Sequence, residues 1–131
     1  MVAKVRNQSK KRDAILEKLC STTVHPSAEW IYLQLKEEFP KLSLATVYRN
    51  LKQFLEEGTI LSVATVAGQE RFDGDTTSHA HFICKACHSV IDIALPLEYD
   101  EVLVRLEQSG CFVDQTSFTV SGICEACNES R

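Results

Sequence analysis

The chain has 131 residues, 44% of them apolar, which is enough to bury a core in one domain or in two small ones. No apolar run approaches the roughly 20 residues that a membrane helix needs, and the start, Met-Val-Ala-Lys-Val-Arg, lacks the apolar segment of a signal peptide. Composition therefore excludes an integral membrane protein, and we expect a globular, cytoplasmic one.

The net charge of −4 conceals two halves of opposite sign. Residues 1–72 carry 11 Lys and Arg against 8 Asp and Glu, a balance of +3, whereas residues 73–131 carry 3 against 10, a balance of −7. The halves are therefore expected to face different partners or ligands. The basic run within the first twelve residues fits either a solvated tail or an arm that contacts phosphates.

Two short helices are predicted at the start of the basic half. The first covers about residues 10–20, because apolar side chains share one helical face at Ile15, Leu16 and Leu19. The second begins after Ser27, a preferred N-cap residue, and continues to Pro40. The connector between the two helices contains His25.

A third helix is predicted to begin after Ser43 and to end at Gly58, with a buried face formed by Val47, Leu51, Phe54 and Leu55. Its opposite face mixes cations that can contact phosphates with groups that can hydrogen-bond base edges: Ala45, Tyr48, Arg49, Lys52 and Gln53. A hairpin follows, with strands at 60–66 and 70–72. This order predicts a winged helix-turn-helix, although a three-helix domain that merely packs a hairpin would give the same pattern.

The polar stretch from Asp73 to Ser78 coincides with the change in the sign of the charge. We therefore expect one domain in residues 1–72, a hinge in 73–79 and a second domain in 80–131. The second domain is predicted as a small α/β domain with strands at 80–84, 89–94 and within 111–123, and a helix over about 97–109. The fold class is thus α+β. A domain of this size has a small core, so metal binding or dimerisation is expected to stabilise it.

Two Cys-x-x-Cys pairs, Cys84 with Cys87 and Cys124 with Cys127, predict a metal site. Two such turns can surround a tetrahedral Zn²⁺, and with four sulfur ligands no position remains for a reactive water, so the zinc would be structural. The alternative is a redox dithiol switch. Cys20 and Cys111 stand alone and are expected to be small buried apolar residues.

Histidines and aspartates form a second group of candidate ligands. His79 and His81 lie on one face of a predicted strand, because side chains alternate there with a period of two. Asp73, Asp92 and His25 could complete a site, but the spacing alone leaves ordinary surface, capping and solvated roles open for all five.

Several motifs together resemble the Fur family of metal-dependent regulators over residues 9–127. They are His25-Pro-Ser-Ala28, Ser43-Leu-Ala-Thr-Val-Tyr-Arg-Asn-Leu51, Arg71-Phe72-Asp73, His79-Ala-His81, Cys84-x-x-Cys87, Val90-Ile-Asp92 and Cys124-x-x-Cys127. The resemblance implies an N-terminal winged helix, a C-terminal dimerisation domain and a homodimer that binds a palindromic operator in double-stranded DNA when its regulatory metal is present.

The resemblance also implies two metal sites. The four cysteines would hold structural Zn²⁺, and Fe²⁺ or Mn²⁺ would be bound as regulatory metal by His25, Asp73, His79, His81 and Asp92. Because these ligands come from both domains and the hinge, the metal would fix the angle between the domains. DNA contacts are expected from Lys11, Arg12, Ala45, Thr46, Tyr48, Arg49 and Lys52.

Asp92 decides the branch of the family, because iron-sensing relatives typically carry glutamate at this position. The chain is therefore most similar to the peroxide-sensing repressors. In these proteins iron reduces H₂O₂ and a ligating imidazole is oxidised, which here would be His25 or His79. The chain departs from the family's pattern at Lys11, where Gln is common, and at His88, where Gly is common. Family members usually have an additional helix before residue 9 that often contacts DNA, where this chain has only residues 1–8; Lys10, Lys11 and Arg12 would contact phosphates instead.

Two other functions compete with a peroxide-sensing repressor. One is an iron- or zinc-uptake regulator whose DNA binding reports metal supply. The other is a metal-dependent enzyme that uses Asp73, His79 and His81, but we expect no enzyme activity, because no nucleophile arrangement or His-x-Glu motif accompanies these residues.

Overall fold

The computed structural model describes residues 2–76, 80–93, 99–113 and 118–129, and the chain divides into two compact units, Met1–Thr76 and Thr77–Arg131. Among the described helices, none combines the length and the apolar character needed to cross a bilayer.

The first unit contains three helices and a hairpin. Their bounds are α1 Val2–Cys20, α2 Ala28–Leu35, α3 Leu44–Glu57, β1 Leu61–Val66 and β2 Gln69–Asp73. The two strands pair antiparallel and are joined by Ala67 and Gly68, which both have positive φ, as a type I′ turn requires. Among the described residues, one apolar cluster of eleven buried side chains forms the core of this unit. Its members come from all three helices, from β2 and from the connections that contain Leu42 and Ile60.

The predicted caps of α2 and α3 are confirmed. The Ser27 hydroxyl accepts a hydrogen bond from the Trp30 amide at 3.2 Å, and the Ser43 hydroxyl accepts one from the Thr46 amide at 3.1 Å. Gly58 ends α3 with φ 76°, in the left-handed region that glycine adopts without strain.

Two helix bounds differ from the prediction. α1 begins at Val2, well before residue 10, a start that the apolar face at Ile15, Leu16 and Leu19 does not indicate. α2 ends at Leu35 and does not reach Pro40. Proline has no N–H to bond the carbonyl four residues earlier and disfavours helical backbone at Phe39, so the last predicted turn loosens.

The second unit contains a three-stranded sheet of order β4-β3-β5 and two helices. Their bounds are β3 Ala80–Cys84, β4 Val90–Ile93, α4 Tyr99–Gln108, β5 Phe118–Gly122 and α5 Glu125–Glu129. β3 pairs antiparallel with β4 and parallel with β5. Of the strands predicted within 111–123 only β5 forms among the described residues; residues 114–117 lie outside them. The five-residue α5 was not predicted.

Candidate metal centres and nucleic-acid interface

The four paired cysteines come together at one end of the second unit's sheet. Parallel pairing sets Cys84 opposite Gly122, so both Cys-x-x-Cys turns begin where paired strands end. The four Sγ atoms all lie within 4.8 Å of one another, and those of Cys87 and Cys124 are 3.8 Å apart. Four convergent sulfurs fit the tetrahedral coordination of Zn²⁺ and leave no open ligand position.

The pKa values of these thiols are shifted in opposite directions by their surroundings. The amide of Cys87 and then that of Cys124, each 3.4 Å from the Cys84 sulfur, lower the pKa of Cys84 to about 6. The pKa of Cys127 is raised to about 12, first by its hydrogen bond to Cys124 and then by the one to Cys87. Sulfurs crowded this closely cannot all ionise without a cation, which a bound Zn²⁺ would supply.

The turn after Cys87 explains why glycine is common in the family at the next position, where this chain has His88. His88 has φ 65°, a left-handed conformation in which glycine is favoured, and it is exposed. Next to it, the Ser89 hydroxyl lies 2.9 Å from the Cys87 sulfur and is the first cause that lowers the pKa of Cys87. The turn therefore supports the thiolate of Cys87.

The first unit contributes one histidine–aspartate pair. His25 Nε2 lies 3.2 Å from Asp73 Oδ2, and both side chains are buried. β2 extends to Asp73 and carries its carboxylate to the connector before α2, a meeting that the sequence spacing could not predict. His25 has φ 54°, so its backbone is strained at a candidate ligand.

The second unit contributes another pair. β3 and β4 place His81 directly opposite Asp92, and His81 Nε2 lies 3.2 Å from Asp92 Oδ1. His81 is buried, whereas about half of the Asp92 side chain is exposed. His79, the remaining predicted ligand, lies outside the described residues.

The outer face of α3 is exposed along its length, as predicted for Ala45, Tyr48, Arg49 and Lys52, while Thr46 is half-buried beside the Ser43 cap. The Tyr48 hydroxyl donates to the Glu29 carboxylate at 2.5 Å, and this bond is the main cause that raises the pKa of Tyr48. Tyr48 is therefore a protonated donor at neutral pH.

Arg12 differs from the other candidate DNA contacts because it is engaged within the first unit. Its guanidinium donates to Gln53 at 2.7 Å and to Glu57 at 2.8 Å, and lies 4.4 Å from the ring centroid of Phe54. A groove of about 360 Å³ runs between α1 and α3, and its lining includes Lys11, Arg12, Arg49 and Asn50. Arg12 thus joins the two helices whose cations line this groove.

Arg71 is a residue whose role the sequence analysis missed. Its guanidinium donates from Nε to the His25 carbonyl and from Nη2 to the Val24 carbonyl at 2.6 Å. Partial burial lowers the pKa of Arg71. The only signal in the sequence was its place two residues before Asp73, which puts both side chains on the same face of β2.

Comparison with known proteins identifies the family. The model of the ferric uptake regulator family matches residues 4–120. The peroxide operon regulator of Bacillus subtilis is 36% identical over 121 residues, covering 92% of this chain and 83% of that protein. The peroxide-responsive repressor PerR of Staphylococcus aureus is 35% identical over 120 residues, covering 90% and 80%.

Solved structures show the same fold. The peroxide stress regulator of Campylobacter jejuni superposes with a TM-score of 0.79 at 25% identity, covering 92% of this chain and 91% of that one. The ferric uptake regulator of Helicobacter pylori superposes with a TM-score of 0.79 at 22% identity, covering 91% and 80%. The predicted α+β class, a winged helix-turn-helix followed by a small α/β domain, is confirmed, and the chain belongs to the ferric uptake regulator family.

Proposed function

We propose that this protein is a metal-dependent, DNA-binding transcriptional repressor that senses peroxide through Fe²⁺. The observation that carries the proposal is the pairing of His25 with Asp73 and of His81 with Asp92 at 3.2 Å each. Both relatives named above at 35–36% identity are peroxide regulators. In the same proposal, the four cysteines of the second unit, whose sulfurs converge, would hold structural Zn²⁺.

The two pairs and His79 fit one regulatory ion chemically. Imidazole nitrogens and carboxylate oxygens suit Fe²⁺ and Mn²⁺, whereas the sulfur site suits Zn²⁺. In the proposed site His25 and Asp73 come from the first unit, His81 and Asp92 from the second, and the ion fixes the angle between the units. Bound Fe²⁺ would supply the redox chemistry that activates H₂O₂; in the net reaction one peroxide oxygen would pass to the ring of His25 or His79, oxidising it by two electrons, and the other would leave as water.

Repression requires a second copy of the chain and DNA. The described part of the second unit exposes apolar side chains on three elements, including Ile91, Ile93, Val102, Leu106, Phe118 and Val120, and a homodimer would bury them. A zinc uptake regulator of the same fold has been solved with zinc and DNA. In the proposed dimer, two α3 helices enter successive major grooves of a palindromic operator.

Site variants test the metal dependence. A DNA fragment selected from a random pool by the Mn²⁺-loaded protein serves as ligand, and its affinity is measured with Mn²⁺, Fe²⁺, Zn²⁺ and no metal. His25→Ala and Asp92→Ala should reduce metal-activated binding by more than the roughly 10- to 100-fold that loss of an outer-shell partner causes, without loss of helix signal. His88→Ala, an exposed histidine near the other metal site, is the control and should bind as the wild type does.

Treatment with H₂O₂ distinguishes a peroxide-sensing repressor from a regulator that reports metal supply. The Fe²⁺-loaded protein should lose DNA on treatment with H₂O₂ and gain the mass of one oxygen atom on the peptide containing His25 or His79. The Mn²⁺-loaded protein should do neither. Metal-dependent DNA binding that survives peroxide with no oxidised histidine would identify a metal-supply regulator, and DNA binding indifferent to all three metals would reject both.

A further inference from the structure

The backbone of His25 is left-handed, and its proposed role as a metal ligand does not explain what holds it in that conformation. A non-glycine residue at φ 54° is strained and persists only where its surroundings hold it. The next residue is proline, and α2 starts two residues later behind the Ser27 cap. The strained residue is thus confined to a short connector.

Consecutive residues of β2 hold this connector by its carbonyl groups. Arg71 donates from two guanidinium nitrogens to the carbonyls of Val24 and His25, and the Phe72 amide donates to the Pro26 carbonyl at 3.0 Å. Three successive carbonyls are therefore bonded by two successive residues. The planar guanidinium is suited to such a paired contact, which a lysine ammonium cannot reproduce.

The same strand that fixes the backbone of His25 also carries its acidic partner. Arg71 and Asp73 lie on one face of β2, while Phe72 between them is buried in the core of the first unit. The strand is therefore anchored by Phe72 and presents a backbone clamp and a carboxylate to one histidine. Arg71 contacts the backbone of His25, so a substitution there would act on the histidine without removing the Asp73 carboxylate.

From this geometry we propose that Arg71 is a positioning residue for the regulatory metal, which holds His25 in its left-handed conformation so that its imidazole is set beside Asp73 before the metal arrives. The proposal rests on the proposed function, because it assigns His25 as a ligand. It predicts that the clamp contributes to metal affinity without touching the ion, as outer-shell partners do.

Mn²⁺ affinity of the zinc-loaded protein gives the first measurement. Arg71→Ala should weaken Mn²⁺ binding about 10- to 100-fold, and Arg71→Lys, which keeps the charge and loses the paired contact, should fall between Arg71→Ala and the wild type. The matched control is Arg105→Ala, which removes an exposed arginine that, among the residues the structure describes, forms its ion pair with Glu101 in the second unit; it should leave the affinity unchanged. If Arg71→Ala does not fold, Arg71→Lys carries the measurement.

A metal-free measurement and a double-mutant cycle separate positioning from general stability. In Mn²⁺-free protein, the Cα and Cβ chemical shifts of His25, which report its backbone angles, should leave left-handed values in the Arg71 variants and not in Arg105→Ala. In a His25→Ala background, Arg71→Ala should cost little further Mn²⁺ affinity, because its effect passes through His25.

The outcomes distinguish the two proposals. If His25→Ala alone leaves Mn²⁺ affinity unchanged, the proposed regulatory site is wrong. If His25→Ala weakens binding but both Arg71 variants keep wild-type affinity and shifts, or if the two substitutions are additive, the role of Arg71 is overturned and the regulatory site stands.

Discussion

The two units are stabilised in different ways. The first buries eleven apolar residues in one cluster, whereas in the described part of the second the buried apolar class is limited to Ala80, Cys84 and Val90. The second unit instead gathers four thiols and exposes apolar side chains on β4, α4 and β5. A domain with so small a core needs a metal or a partner surface to fold, while the first can rely on packing alone.

Removal of a zinc ligand should have the largest effect on stability, because the second unit depends on the metal. Cys124→Ser removes one of four sulfur ligands, and because structural zinc contributes on the order of 10 kcal/mol to folding, the second unit should lose its structure while the first keeps its own. Backbone amide NMR spectra and zinc content measure both effects. Cys111→Ser is the control, because Cys111 lies outside the sulfur cluster and is exposed; the predicted burial of Cys20 and Cys111 is wrong, since both are exposed. A second unit that stays folded in zinc-free Cys124→Ser would show that packing suffices there too.

The converse substitution tests the core of the first unit. Phe54 is fully buried in α3 and also supports the Arg12 guanidinium, so Phe54→Ala should lower the free energy of unfolding of this unit by about 3–5 kcal/mol. Thermal melting followed by helix signal measures the loss, and zinc content should not change. Leu33→Ala, at an α2 position that is 57% exposed, should cost under about 0.5 kcal/mol. Zinc loss in Phe54→Ala would mean that the second unit depends on the first.

The same contrast explains what the sequence could predict. Local signals were sufficient in the first unit for the caps at Ser27 and Ser43 and for the stop at Gly58, because each depends on one residue and its near neighbours. They failed for the start of α1, which lies before the apolar face that predicts this helix, and for the end of α2, where Pro40 acts through a missing hydrogen bond four residues away.

The candidate sites divide similarly. The Cys-x-x-Cys spacing predicted the sulfur cluster, because each turn fixes its own two ligands. The pairing of His25 with Asp73 depends on β2 meeting a distant connector, and only the family resemblance suggested it. The role of Arg71 could not be predicted, because a left-handed backbone at His25 has no signature in the sequence. The ligand role of His79 stays a prediction.

The N-cap of α2 contributes far less to the stability of the first unit than its apolar core does. Ser27→Ala removes the acceptor for the Trp30 amide and should lower the free energy of unfolding of that unit by about 1 kcal/mol, the usual cost of losing an N-cap. Chemical denaturation measures it, with Ser43→Ala as a second cap of similar cost. Ser62→Ala, which loses only an exposed contact to Glu70, should cost less than about 0.5 kcal/mol. Because Ser27 adjoins the connector that Arg71 holds, a loss no larger than that of Ser62→Ala would mean that the carbonyl contacts from β2 are sufficient to fix the start of α2.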